Sequence, residues 1–219
     1  MCWNKDISIN TFIFSFLALF FIYYTNTFTR YKTPLFDNPI VYLFIFSVVS
    51  MQLIEYYLWR NLKNPFINKI LSKLASFLFI LQPFFLILII PVLSTRYMML
   101  FIYSLFMLTY LFYKKMYSPI NFHTSISKNG HLLWEFVNLK GYESVFAFLY
   151  LLIYISTVFI INNTLITLFL IPSFLISLFF YYRDNTFGTM WCWMSNLFLL
   201  FIIINILIVK PYSEYNGLC

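Results

Sequence analysis

Apolar residues run along this chain in long unbroken blocks, not in the alternation of a half-buried strand or the one-sided stripe of a soluble helix. Seven blocks fall at approximately 7–24, 40–58, 72–92, 97–113, 144–161, 164–182 and 189–209. Each is near the roughly 20 residues that cross a bilayer's hydrocarbon as a helix. Residues 91–96, with Pro91 and Arg96, part the third block from the fourth, and Asn162-Asn163 parts the fifth from the sixth. Fusing either pair would make a helix too long for one crossing. The pattern predicts an all-α polytopic bundle of about seven transmembrane helices, with six as the rival count, in a single domain over residues 1–219.

Residues 122–136 break the helical pattern. Asn129-Gly130 sits there between two extended-looking arms. That dipeptide suits a type I′ turn, which needs positive φ at both central positions. The expectation is a β-hairpin between helices 4 and 5, with Ile126 opposite Leu133 and Ser125 opposite Trp134. An isolated hairpin is barely stable in water, so it should rest on the membrane surface or on helix ends.

Composition agrees. The 219 residues are 62% hydrophobic and 10% charged, with a mean hydropathy of +0.83. A soluble domain is nearer one quarter charged, so a water-soluble enzyme is excluded. Phe occurs 29 times and Gly four times, and there is no G-x-x-x-G pair. Helix contacts should therefore be aromatic rather than close crossings at small residues. Such a bias also fits an A/T-rich coding genome.

The net charge is +7. On seven spans, Lys5, Arg60, Lys63, Lys69, Lys73, Lys114, Lys115, Lys128, Lys140 and Arg183 share one side, and Arg30, Lys32, Arg96 and Lys210 the other. Basic residues favour the inner side, so the amino terminus is expected inside and the carboxyl terminus outside. The inner face should attract anionic lipid headgroups. No basic stripe interleaved with exposed aromatics points to nucleic acid.

Several chemistries find no support. Cys2, Cys192 and Cys219 are widely spaced and suggest no disulfide framework. The start has no small-residue cleavage site, so the first block is expected to stay as a helix, and no lipidation box is present at either end. H-E-x-x-H, P-loop and G-x-S-x-G motifs are missing. His123 and His131 do not oppose each other, Lys210 is too shallow for a retinal Schiff base, and no cofactor is expected.

Glu55 stands out, because an ionisable group inside a span costs a few kcal/mol and usually faces the bundle interior. Gln52 and Trp59 share its helix face at spacings of three and four. The alternative is an interfacial carboxylate paired with Arg60 or a tyrosine hydroxyl. The last block adds Trp191, Cys192, Trp193, Ser195 and Asn196, preceded by Arg183 and Asp184. The tryptophans read as an interfacial anchor, and Asn196 should lie near the depth of Glu55. Gln82 precedes Pro83 in mid-span, where proline frees the carbonyl of Phe79; Pro172 interrupts the sixth block likewise. Gln52, Glu55, Gln82 and Asn196 form the candidate intramembrane cluster, supported by Trp59, Arg60, Trp191, Ser195, Arg183 and Asp184.

The opening Met1-Cys2-Trp3-Asn4, Gln52-Leu53-Ile54-Glu55 before Trp59, Asn129-Gly130-His131 and Met190-Trp191-Cys192 together resemble an uncharacterised family of multi-pass membrane proteins from large DNA viruses of algae and protists and some hosts. The resemblance implies no activity and transfers no catalytic residue. Two function classes follow. One is a protein handling an ion, small solute or lipid through an inward-opening polar cavity. The other is a structural or scaffolding membrane protein without turnover. An intramembrane enzyme ranks third, since no nucleophile–base pair is visible.

Overall fold

The structure, a computed structural model, describes residues 4–137, 141–194 and 196–216. Cys2, Trp3, Lys140, Ser195 and Cys219, singled out above, lie outside them.

Helices long and apolar enough to cross a membrane run as α1 (Lys5–Phe28), α2 (Pro39–Arg60), α3 (Pro65–Leu88), α4 (Leu93–Met116), α5 (Glu143–Ile161), α6 (Thr164–Tyr181) and a seventh stretch, Phe187–Tyr215. The seventh comprises α7 (Phe187–Met194), α8 (Asn196–Ile204), a π-helical segment Asn205–Val209 and α9 (Lys210–Tyr215). Between α4 and α5, β1 (Thr124–Ile126) pairs antiparallel with β2 (Leu132–Trp134). The start of α1 and the α2–α3, α4–α5 and α6–α7 connections share one end of the bundle, termed the amino face.

Asparagine sets many helix starts. The side chains of Asn4, Asn38, Asn64 and Asn163 each accept a first-turn N–H, satisfying donors that an α-helix leaves unpaired. Pro39 and Pro65 occupy the first helical turn, where no donor is needed. This cap explains why α3 begins at Pro65, earlier than the expected residue 72. Asn162 ends α5 in the left-handed region, φ 51°, and Asn163 opens α6.

α2 packs most extensively, against α1 and α3, while α4 is the least buried of the seven. Aromatic rings fill the contacts. Phe79 stacks on Tyr150 with centroids 4.6 Å apart, and Trp191 meets Tyr154 and Phe174 edge-on at 5.0 and 5.1 Å. In lipid such packing replaces hydrophobic driving force between helices, at about 1 kcal/mol per ring pair. The carbonyl of Phe79, freed by Pro83, accepts the Tyr150 hydroxyl at 2.8 Å. One residue on, the carbonyl of Ile80 accepts the Tyr103 hydroxyl at 2.5 Å. Helices α4 and α5 are thus tied to the proline break in α3.

The hairpin exists, but its register differs from the expected one. Thr124 faces Trp134, Ser125 faces Leu133 and Ile126 faces Leu132. Gly130 has φ 80°, whereas Asn129 is not at positive φ. The Ser127 N–H donates to the His131 carbonyl at 2.9 Å, and the Gly130 N–H to the Ser127 carbonyl at 2.9 Å. This is a three-residue loop closed by one left-handed glycine, not a two-residue type I′ turn. A one-residue slip changes which side chains share a face. Here Thr124, Leu132 and Trp134 are buried.

The hairpin also sits deeper than a surface resting place. Trp134 packs with Met51, Ala75 and Cys192 of three different helices. Gly188 makes room for it: a Cβ there would stand 3.1 Å from Trp134 Cζ3. Thr189 Oγ1 donates to the Leu132 carbonyl at 2.8 Å.

Candidate functional site

Gln52 and Glu55 lie one turn apart on α2, and both are buried, Glu55 at 3% exposure. Glu55 faces a small cavity shared with Ser8, Gln52, Trp59, His131, Thr189 and Trp193. The cavity holds about one water molecule. Elements α1, α2, the hairpin and α7 therefore meet at this carboxyl, and the hairpin forms one of its walls.

Neither Glu55 Oε1 nor Gln52 Nε2 has a hydrogen-bond partner within bonding distance, and Gln82 Nε2 also lacks one. The Gln52 amide nonetheless lies beside the Glu55 carboxyl, as a long hydrogen-bonding neighbour. Gln82 approaches from α3 through Cys192, whose thiol interacts with Gln82 and Glu55. Unpaired buried polar atoms are rare in native proteins and call for a water, ion or function to explain them.

Arg60 is not the partner of Glu55. Its Nη1 donates to the Tyr56 hydroxyl at 3.0 Å, and its guanidinium lies over the Tyr56 ring. One turn of helix carries it to the exposed face beyond the carboxyl. Among the described residues no cation forms an ion pair with Glu55, and no group of three His, Cys, Asp or Glu could hold a metal.

Asn196 is separate. Ser15 of α1 donates its hydroxyl to Asn196 Oδ1, while Asn196 Nδ2 donates to the carbonyls of Cys192 and Trp193 at 2.9 and 3.1 Å. It borders an apolar cavity with Phe44, Val48 and Leu199. Val48 lies about 10 Å from Glu55 along α2, so Asn196 is not at the carboxyl's depth; its bonds link α1 to the seventh stretch. Trp191 is only 4% exposed and belongs to the core, which overturns its reading as an interfacial anchor; Trp193 is half-buried against the Glu55 cavity. Arg183 and Asp184 lie in the α6–α7 connection, where the Asp184 carbonyl accepts the Ser127 hydroxyl at 3.0 Å. They do not border the Glu55 cavity.

Ser8 and His131 were not legible as site residues. Ser8 and Ser15, seven apart on one face of α1 and both buried, form a polar stripe that could have been noticed. His131 lies edge-on to Tyr181 at 5.4 Å, and burial holds its imidazole below the ordinary value. A second polar centre also escaped sequence reading. Lys114 at the end of α4 pairs with Glu143 at the start of α5 at 2.5 Å, their side chains 7% and 14% exposed. Ser118 Oγ donates to the same carboxylate oxygen at 2.5 Å.

These features define an integral multi-pass membrane protein: seven apolar helices, a hairpin docked into one end, and a buried carboxyl beneath it. Comparison with protein-family models, curated proteins and solved structures found no significant match to this chain.

Proposed function

We propose that this protein handles protons in its membrane, with Glu55 as the exchanging carboxyl, reached from an amino face that lies inside. One observation carries the reading: Glu55 Oε1 is buried and unpartnered, and no cation among the described residues is paired with it. A permanently charged carboxylate at that depth costs a few kcal/mol or more, so the group is suited to bind and release a proton. The adjoining space excludes occupants much larger than water, which argues against a bulky solute. The basic amino face supports the orientation.

The test is proton flux into vesicles holding the purified protein and a trapped pH dye, driven by a potassium diffusion potential. The natural chain should carry flux, and Glu55→Gln should assemble normally yet abolish it. Absence of flux in the natural chain, or equal flux in a well-assembled Glu55→Gln variant, defeats the reading.

The scaffolding alternative is favoured by the other polar groups. Asn196 and Lys114 are fully engaged in holding helices together, as a structural protein requires. On that reading Glu55→Gln leaves every measurable property of the membrane intact, and a viral membrane of the kind the family resemblance implies is a fitting site.

A further inference from the structure

A cleft between α3, α4 and α5 is distinct from the Glu55 cavity. Its cavity is about 70 Å³ and open at the mouth, a narrow slot with room for part of one extended chain. Phe79, Phe106, Tyr110, Phe146 and Tyr150 line it, with Ala147 leaving space on the α5 wall. Phe106, Tyr110, Phe146 and Ala147 are half-exposed, so the opening faces sideways between α4 and α5, where lipid chains would be. The weak burial of α4 is consistent with a helix that leaves this seam unfilled.

At the amino-face end, the cleft reaches the Lys114–Glu143 pair, and a second, polar basin begins at the same two residues. Lys128, Glu135, Arg183 and Asp184 border that basin. Glu135 is occupied by His123 at 2.8 Å, and Glu143 by Lys114 at 2.5 Å. Lys128, Arg183 and Asp184 form no ion pair among the described residues. An apolar compartment and a polar one thus meet end to end, and the polar one offers, among the described residues, two cations and one anion that no ion pair occupies.

We propose that this double compartment binds one zwitterionic phospholipid, an acyl chain entering the aromatic cleft and the headgroup lying in the basin. The phosphate meets Lys128 and Arg183, and the ammonium meets Asp184. Charge complementarity selects this occupant. An anionic headgroup with no ammonium would leave Asp184 facing like charge, and a free phosphate ester would leave the aromatic cleft empty. The inference is independent of proton handling at Glu55.

Delipidated protein in detergent, titrated with a phosphatidylethanolamine or a phosphatidylglycerol of the same chains and followed by native mass spectrometry, tests it. One phosphatidylethanolamine should be retained per chain at about tenfold lower concentration than phosphatidylglycerol, the scale of one well-placed charge contact. Ala147→Phe, which fills the cleft, should remove that retention, and Ala147→Leu should weaken it if the larger ring prevents folding. Asp184→Asn should erase the preference while leaving binding through the chain. Glycerophosphoethanolamine, which has the headgroup without chains, should not compete. Equal retention of both lipids by the natural protein, retention of neither, unchanged binding in folded Ala147 variants, or competition by the chainless headgroup overturns the proposal.

Discussion

Asn68 holds Thr124 by both of that residue's backbone groups. Its Nδ2 donates to the Thr124 carbonyl at 2.8 Å, and its Oδ1 accepts the Thr124 N–H at 2.9 Å. A single side chain of α3 thereby occupies the edge of β1 as a neighbouring strand would. Ser72, one turn further along α3, adds a bond between its hydroxyl and that of Thr124 at 2.8 Å. A two-stranded hairpin is marginal alone; this one is completed by a helix.

Asn68→Ala should therefore loosen the hairpin more than its single-residue change suggests. It strands a buried N–H and a buried carbonyl, at a cost of about 2–4 kcal/mol. Amide hydrogen exchange should show lost protection at Thr124 and in β2, with the transmembrane helices still protected. Unchanged exchange at Thr124 would remove the bidentate bond from the account.

The turn should be sensitive to substitution at both residues. Gly130 is at φ 80°, so Gly130→Val costs about 1–2 kcal/mol from left-handed strain alone. Asn129 carries no such strain; Asn129→Ala loses two bonds, from its Nδ2 to Thr186 Oγ1 at 2.8 Å and from the His131 N–H to its Oδ1 at 3.1 Å, together worth about 2 kcal/mol. Thermal unfolding in detergent should show Gly130→Val and Asn129→Ala both destabilised, with Gly130→Asn close to the natural chain because asparagine tolerates the left-handed region.

Acid should weaken hairpin docking through His131. Its folded-state value is lowered by burial, so the unfolded chain takes up a proton first as pH falls. Stability is then complete above about 6.5, the ordinary value of histidine, and declines below it until the folded imidazole also protonates. Melting temperature should drop between pH 7.5 and 5.5 in the natural protein and drop less in His131→Asn. Equal slopes in both would assign the pH dependence to another group.

Tyr150 and Pro83 should be coupled. Tyr150→Phe leaves the carbonyl of Phe79 without its partner, at about 1–2 kcal/mol. In a Pro83→Ala background the restored backbone N–H can take that carbonyl, so the same change should cost little. A double-mutant cycle on unfolding should show more than about 0.5 kcal/mol of interaction. Additive effects would mean that the tyrosine acts only through ring packing on Phe79.

The bias of basic residues toward one side predicts the topology. Tags at the two chain ends should be reached from opposite sides of the membrane, the amino-terminal tag from the cytoplasmic side. Both tags on one side would be incompatible with seven crossings.

The existence and count of the spans, the presence of a hairpin and the burial of Glu55 were determined by sequence because each has a local cause. A block of apolar residues must match bilayer thickness, Asn129-Gly130 must turn, and a carboxyl on the face of Gln52 avoids lipid. Helix starts at Asn64-Pro65 and Asn163 follow equally local capping chemistry. Only the tertiary structure decided what those groups touch. Asn68 and Thr124 are 56 residues apart, and Ser15 and Asn196 are 181 apart; nothing near either residue in sequence names its partner. Asn196 turned to Ser15 because helix rotation and tilt are set by packing against neighbours, whereas Arg60 met Tyr56 one turn back on its own helix. The hairpin's register likewise depended on which face found Asn68, Thr189 and the space at Gly188. Hydrophobic pattern sorts residues between lipid and interior, but long-range contacts choose among the interior positions.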